Sequence, residues 1–198
     1  MDNSLHQRVI GKIISKGFEK ASAAFSKLIN RRVSFDLNSV SLIRHVSDPS
    51  LRAHNEQEAV VLTTDIIGEL SGRSYLILDQ REMKVVCDAV NPKLSEHIRE
   101  ALLLEIDNII SASVISEIAN ALGIEIYGDV PALQFAQGNA ITALLDHSIP
   151  QQETTGFILC WASFKIENQE TIHPQFIWKL GTRICELIER TYQKSGHV

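Results

Sequence analysis

Between residues 4 and 29 the apolar positions Val9, Ile13, Ile14, Phe18, Ala21, Phe25, Leu28 and Ile29 recur at helical spacing, which predicts a long amphipathic helix. Asn30 tolerates the left-handed cap conformation and marks its end. From Val33 to Leu37 apolar and polar residues alternate, a strand signal. Residues 47–55, with Asp48-Pro49, read as a loop. Residues 59–67 and 74–78 read as two strands joined by a turn at 69–72. A short helix over 80–90 closes at Asn91-Pro92. The longest helical pattern covers 94–122 and stops at Gly123. Alternation returns at 124–127. Residues 140–149 read as a strand, and 156–166 as a strand rich in aromatics. Pro174 opens a final helix to about Tyr192, and the last six residues are expected to be disordered.

The order is helix, strand, two strands and helix, and then the same again. A shift of about 93 residues lays Val33 on Ile126 and Val40 on Leu133. This predicts one domain over 1–198 with a degenerate first half (4–90) and a second half (94–192). The fold class expected is α/β, with pseudo-two-fold internal symmetry and a mainly antiparallel sheet carrying long helices on one face. Gly11 and Gly17 are mildly unfavourable inside the first helix, and read either as relics or as points of close packing.

Composition narrows the function more than the fold. The chain is 44% hydrophobic and 22% charged, enough for a real core. A net charge of −5 gives no basic footprint for nucleic acid. No apolar run approaches the roughly 18 residues of a membrane span. The N-terminus lacks the basic-then-apolar layout of a signal peptide, so a cytoplasmic protein is expected. Cys87, Cys160 and Cys185 are widely spaced and fit reduced thiols better than disulfides or a metal site. The seven histidines are scattered and read as surface residues, so no metal site is expected. Gly68-x-x-x-Gly72 lacks the Lys-Ser/Thr of a phosphate-binding P-loop.

The chemistry concentrates on residues 94–122. Leu102, Ile106, Ile109, Ile110 and Val114 form a broad core face. Glu105 and Asn108, at i and i+3, share a different face, along a stripe of Ala101, Ala112, Ala119 and Ser116. The small residues leave the two polar side chains standing clear. Asp107 reads as a solvated neighbour. A carboxylate accepts hydrogen bonds and pairs with cations, and an amide both donates and accepts, so the pair suits positioning a water against a target. On the helix alone, two ordinary exposed positions among good helix formers is the plainer reading.

The stretch Leu104-Glu-Ile-Asp-Asn-Ile-Ile, followed by Ile118-Ala-Asn-Ala-Leu-Gly-Ile-Glu-Ile and Val130-Pro-Ala-Leu, resembles the signature of the CheC, CheX and FliY family. Members are phosphatases of phosphorylated CheY-type receiver domains in bacterial chemotaxis. Their signature is an Asp or Ser, three residues, Glu, two residues, Asn, twenty-two residues, Pro. Glu105, Asn108 and Pro131 match it, whereas the first position is Ala101. Some members carry the motif twice. The first-half counterparts here are Lys12, Ser15 and Asn38, which do not match, so one site is retained, as in CheX-like members.

The resemblance implies a phosphatase acting on the aspartyl phosphate of a receiver. Asn108 would orient the attacking water, and Glu105 would pair with the receiver's active-site lysine. The Mg²⁺ would come with the receiver, so no cofactor of its own is expected. A homodimer is plausible by the same resemblance. A second reading is a non-catalytic adaptor that docks receivers or flagellar-switch proteins. A third is a small-molecule sensor, with Trp161, Phe164, Phe176 and Trp178 lining a pocket, or a stand-alone structural dimer, though aromatics at such spacings are more often core.

Overall fold

The structure is a computed structural model that describes residues 3–43, 58–146, 155–181 and 183–194. Helix α1 (Asn3–Ile29) leads into strand β1 (Val33–Ile43). The hairpin β2 (Glu58–Gly68) and β3 (Gly72–Asp79) is followed by α2 (Gln80–Val90) and the long α3 (Glu96–Leu122). Then come β4 (Ile126–Gly128), β5 (Ala132–Gln137), α4 (Asn139–Asp146), β6 (Thr155–Ile166), β7 (Gln175–Gly181) and α5 (Arg183–Lys194). All strand pairs are antiparallel, in the order β1-β6-β7-β3-β2. Along the outer edge of β2, β5 pairs with its first half and β4 with its end.

Helix ends follow local chemistry. Asn30 (φ 52°) and Gly123 (φ 64°) both take the left-handed conformation that closes a helix. Asp79 caps α2 through a reciprocal pair: it accepts the Glu82 amide at 2.7 Å, and Glu82 accepts the Asp79 amide at 3.1 Å.

The main core lies between the sheet and helices α1, α2, α3 and α5. Leu62, Leu76, Trp178 and Ile158 point from four neighbouring strands at Ile14, Phe18, Ile110 and Val114. The two long helices pack antiparallel, with Ile10, Ile13 and Ile14 against Ile118 and Leu122. Where they cross, a Cβ on Gly17 would lie 2.8 Å from Val114 Cα, so Gly17 is a point of close approach. Gly11 has no such reason, since its nearest neighbour would stand 3.8 Å away. Phe18, Phe35, Phe164, Phe176 and Trp178 pack ring against ring here, with Phe35 and Phe164 stacked at 4.3 Å. The aromatics expected as pocket candidates are therefore core, apart from half-buried Trp161 on the other face.

That other face carries a smaller core under α4, where Ile141 and Leu145 meet Ala59, Val61, Ile77 and Ile177. Tyr75 Oη donates to the Leu144 carbonyl at 3.4 Å. Buried Lys179 donates to the Leu145 carbonyl at 2.5 Å, placing a cation at the negative end of α4.

Two expectations fail. Residues 140–149 do not form a strand: up to Asp146 they lie in α4, because Ile141, Leu144 and Leu145 share one helical face, and the rest lie outside the described residues. The final helix does not open at Pro174. Residues 175–181 form β7, central in the sheet and buried along its whole length, so its apolar run carries no period to tell strand from helix. The helix begins at Arg183. The loop read at 47–55 and the final residues 195–198 lie outside the described residues, and α5 itself runs to Lys194.

Candidate functional site

Helix α3 lies across β2, β4 and β5, and turns its other side outwards. Leu103, Ile106, Ile110 and Val114 are buried, with Leu102 and Ile109 packed at the margin. Ala101, Glu105 and Asn108 are exposed. Among the described residues no hydrogen bond or ion pair engages the Glu105 carboxylate or the Asn108 side-chain amide. The Asn108 carbonyl accepts the Ser111 hydroxyl at 3.3 Å, a contact of the backbone that leaves the side chain out.

The second wall comes from the loop joining β4 and β5. Ala101, Leu104, Glu105 and Asn108 face Gly128, Asp129, Val130 and Pro131 across one open groove. Pro131, the proline of the resembled signature, thus stands opposite the Glu–Asn pair. Asp129 N–H donates to the Asp65 carbonyl on β2 at 2.8 Å, and the Asp129 carboxylate accepts the Val130 amide at 2.7 Å. Val130 is 83% exposed at the rim. The groove combines an acid, an amide and an apolar lip, so it offers hydrogen-bond acceptors, an amide donor and apolar contact to whatever enters it.

The acid between the pair is a correction. Asp107 was expected to be solvated, yet it is 2% exposed and faces the sheet. Helical geometry gives the reason, since Asp107 follows Ile106 and sits one turn from buried Leu103 and Ser111. Among the described residues its hydrogen-bond partner is Thr64 Oγ1 on β2, which donates to Asp107 Oδ2 at 2.7 Å. Burial pushes the carboxyl up to about 6, and the Thr64 hydrogen bond offsets part of that rise. Nothing in the linear sequence marks it, because an acid flanked by polar Asn108 looks like surface.

A second Glu-x-x-Asn pair, overlooked in the sequence, lies further along α3 at Glu117 and Asn120. Twelve residues turn a helix by about 120° beyond whole turns, so this pair faces α1 instead. It lines a separate groove with Lys12, Ser15, Lys16 and Glu19. Glu117 is ion-paired with Lys20. Its carboxylate is therefore engaged within the fold, and no proline follows at the signature distance. Lys12 and Ser15, the first-half counterparts of the motif, sit in this groove and do not join the Glu105 site.

Other candidate chemistry is structural. Among the described residues no group of three His, Cys, Asp or Glu side chains is placed to hold a metal ion. His6, read as a surface residue, is 5% exposed and lies 3.3 Å from Glu189. Cys87 and Cys160 are buried thiols, raised by that burial, and Cys185 is half-buried. No described helix is long and apolar enough to cross a membrane.

The curled antiparallel sheet and its long helices make a CheC-like fold, shared with FliY- and CheX-type proteins. No protein-family model matches the chain, and no curated protein matches it in sequence. Among solved structures it is similar to FliY of Thermotoga maritima, with TM-score 0.72 and 16% identity over 96% of each chain. It is also similar to the FliM middle domain from H. pylori, with TM-score 0.66 and 13% identity over 94% of this chain and 97% of that one. The chemotaxis protein CheX from Desulfovibrio desulfuricans gives TM-score 0.52 and 16% identity over 84% and 97%. At these identities the likeness is one of fold.

Proposed function

We propose that this chain is a phosphatase of phosphorylated CheY-type receiver domains. The observation that carries the reading is the shared groove: Glu105 and Asn108 stand exposed on α3 opposite the loop that holds Pro131. An aspartyl phosphate is already reactive, so the catalyst has mainly to position a water in line with phosphorus. The Asn108 amide is suited to that task, since it offers both a donor and an acceptor to one water. The Glu105 carboxylate pairs with a lysine of the receiver and docks the helix. Val130 and Leu104 supply apolar contact beside them. The receiver's own Mg²⁺, when bound, neutralises charge developing on the phosphoryl oxygens, so this chain needs no cofactor. Ala101 leaves the first signature position without a polar side chain. A receiver substrate implies a cytoplasmic protein.

The likeness to FliM favours a second reading, an adaptor that docks receivers or switch proteins without hydrolysis. One experiment separates the two. A CheY-type receiver is phosphorylated with a small phosphodonor, and phosphate decay is followed with and without this protein. Acceleration that vanishes in Asn108→Ala and Glu105→Ala supports the phosphatase. Binding without acceleration supports the adaptor. Acceleration that survives Asn108→Ala refutes the role given to the amide.

A further inference from the structure

We propose that Asp107 is a positioning residue: through Thr64 it fixes the rotation of α3 that presents Glu105 and Asn108 to the loop carrying Pro131. The inference rests on the phosphatase reading for its catalytic consequence, and on geometry alone for the positioning itself.

Both walls of the groove hang on two consecutive residues of β2. Thr64 Oγ1 holds α3 through Asp107 at 2.7 Å. The next carbonyl, of Asp65, holds the opposite wall through Asp129 N–H at 2.8 Å. Gly128 pairs with Ile66 in the sheet, and a Cβ on it would lie 3.2 Å from Thr64 Cγ2. The separation of the two walls is thus set across Thr64 and Asp65. Thr64 is itself fixed, being 1% exposed with its carbonyl accepting the Ser74 hydroxyl at 3.4 Å.

The hydrophobic effect that holds α3 on the sheet is non-directional. A hydrogen bond to a buried carboxylate adds a directional restraint. Side-chain tips lie roughly 5–6 Å from a helix axis, so a rotation of about 10° moves the Asn108 amide by about 1 Å. An error of that size costs on the order of 10²-fold in a reaction that depends on positioning. Asp107 adjoins Asn108 in the chain, so locking one sets the azimuth of the other.

The charged groups around it have other partners. On β2, Asp65 is bonded to Arg73 at 2.5 Å. On α1, Lys20 is paired with Glu117, and Lys12, Lys16 and Glu19 line the second groove. On α2, Asp88 is paired with Lys84. On α5, Arg183 donates to the Glu69 carbonyl at 2.9 Å, and Glu189 faces His6. Tyr127 of β4 is exposed, β5 carries no ionisable side chain, and the Asp129 carboxylate is turned to its own loop. Burial and Thr64 alone place the Asp107 titration.

Two readouts test the proposal. The first needs no substrate: amide NMR of the free protein between pH 8 and pH 5, following the Asn108 side-chain amide and the Asp129 and Val130 backbone amides. These signals are expected to move with a midpoint near 6 in the wild type and to stay still in Asp107→Asn. The second is receiver dephosphorylation. Thr64→Val is expected to lower kcat by about 10- to 100-fold with KM nearly unchanged, and Thr64→Ser, which keeps the hydroxyl, to restore it. Absent titration of Asn108, or full kcat in Thr64→Val, overturns the proposal. A wild type that dephosphorylates no receiver refutes the phosphatase reading, and the NMR titration then still decides the positioning. If Thr64→Val fails to fold, Asp107→Asn and the wild-type titration carry the test.

Discussion

Replacing Asp107 by Asn removes a titration while keeping an acceptor oxygen for Thr64, and the folded state should respond in a pH-dependent way. In the folded protein the carboxyl is raised from 3.8 to about 6. A raised carboxyl means that the folded state holds its proton more tightly than the unfolded chain does. Its contribution to stability is therefore fully present below about pH 4 and is lost as pH rises through about 6. Two pH units correspond to about 3 kcal/mol in full, of which about 2 kcal/mol falls between pH 4.5 and pH 7.5. Asn has no such dependence. It does bring two N–H donors into a buried position, at a cost of about 1–3 kcal/mol, but that cost is the same at both pH values. Urea unfolding of both proteins at pH 4.5 and pH 7.5 gives four free energies. Their difference of differences isolates the titration from every other ionisable group. The variant should gain about 2 kcal/mol relative to wild type on going to the higher pH. Two proteins whose stabilities run parallel with pH would refute the buried, proton-binding carboxyl, and with it the claim that the fold tolerates an unfavourable charge at this point.

The remaining predictions are shorter. Asn108→Ala should reduce receiver dephosphorylation by about 10²-fold or more and change stability by less than about 0.5 kcal/mol. Asn120→Ala, in the second Glu-x-x-Asn pair, should leave the rate unchanged, so the two variants side by side in the phosphate-decay assay test which groove acts. Gly11→Ala and Gly17→Ala should differ in sign in thermal denaturation. The first gains up to about 1 kcal/mol of helix propensity, its Cβ making only an ordinary contact with Val40 at 3.8 Å, while the second forces a Cβ to 2.8 Å from Val114 Cα and loses about 1–3 kcal/mol to overpacking. Asp79→Ala removes the cap of α2 and should cost about 1 kcal/mol, measured by the same denaturation.

Features carried by periodic local signals were the ones legible in the sequence. The two long helices, the β2–β3 hairpin and the caps at Asn30 and Gly123 could each be read from a few neighbouring residues. The two misread segments fail for different physical reasons. A central strand such as β7 is buried on both faces by the sheet's two cores, which erases the alternation that marks a strand. α4 is short enough that three apolar residues fit either period. At the candidate site, Glu105, Asn108 and Pro131 could be picked out because they match the spacing of the signature that the chain resembles. Asp107 and Thr64 could not, because their relation is a hydrogen bond between residues far apart in the chain. Glu117 and Asn120 show the converse: a spacing can recur without its setting, and only the ion pair with Lys20 and the groove they line distinguish them.

The contrast between the two Glu-x-x-Asn pairs also bears on phosphatase against adaptor. A docking surface needs complementarity over an area and tolerates charges that are already paired within the fold. A water-positioning site needs an amide and a carboxylate that are unengaged, close to each other and held rigidly against a second wall. Glu117 meets the looser requirement and fails the stricter one. Glu105 and Asn108 meet the stricter one, with their second wall tied to β2 through Asp65 and their own helix tied to the neighbouring Thr64. A buried carboxylate beneath an exposed amide is an expensive way to hold a helix whose only duty is to offer area, since a well-packed apolar residue would serve at lower cost. It is a reasonable way to hold one whose amide must be placed to within about an ångström. The cost of Asp107 therefore weighs towards catalysis, and the pH dependence of its removal is where that argument stands or falls.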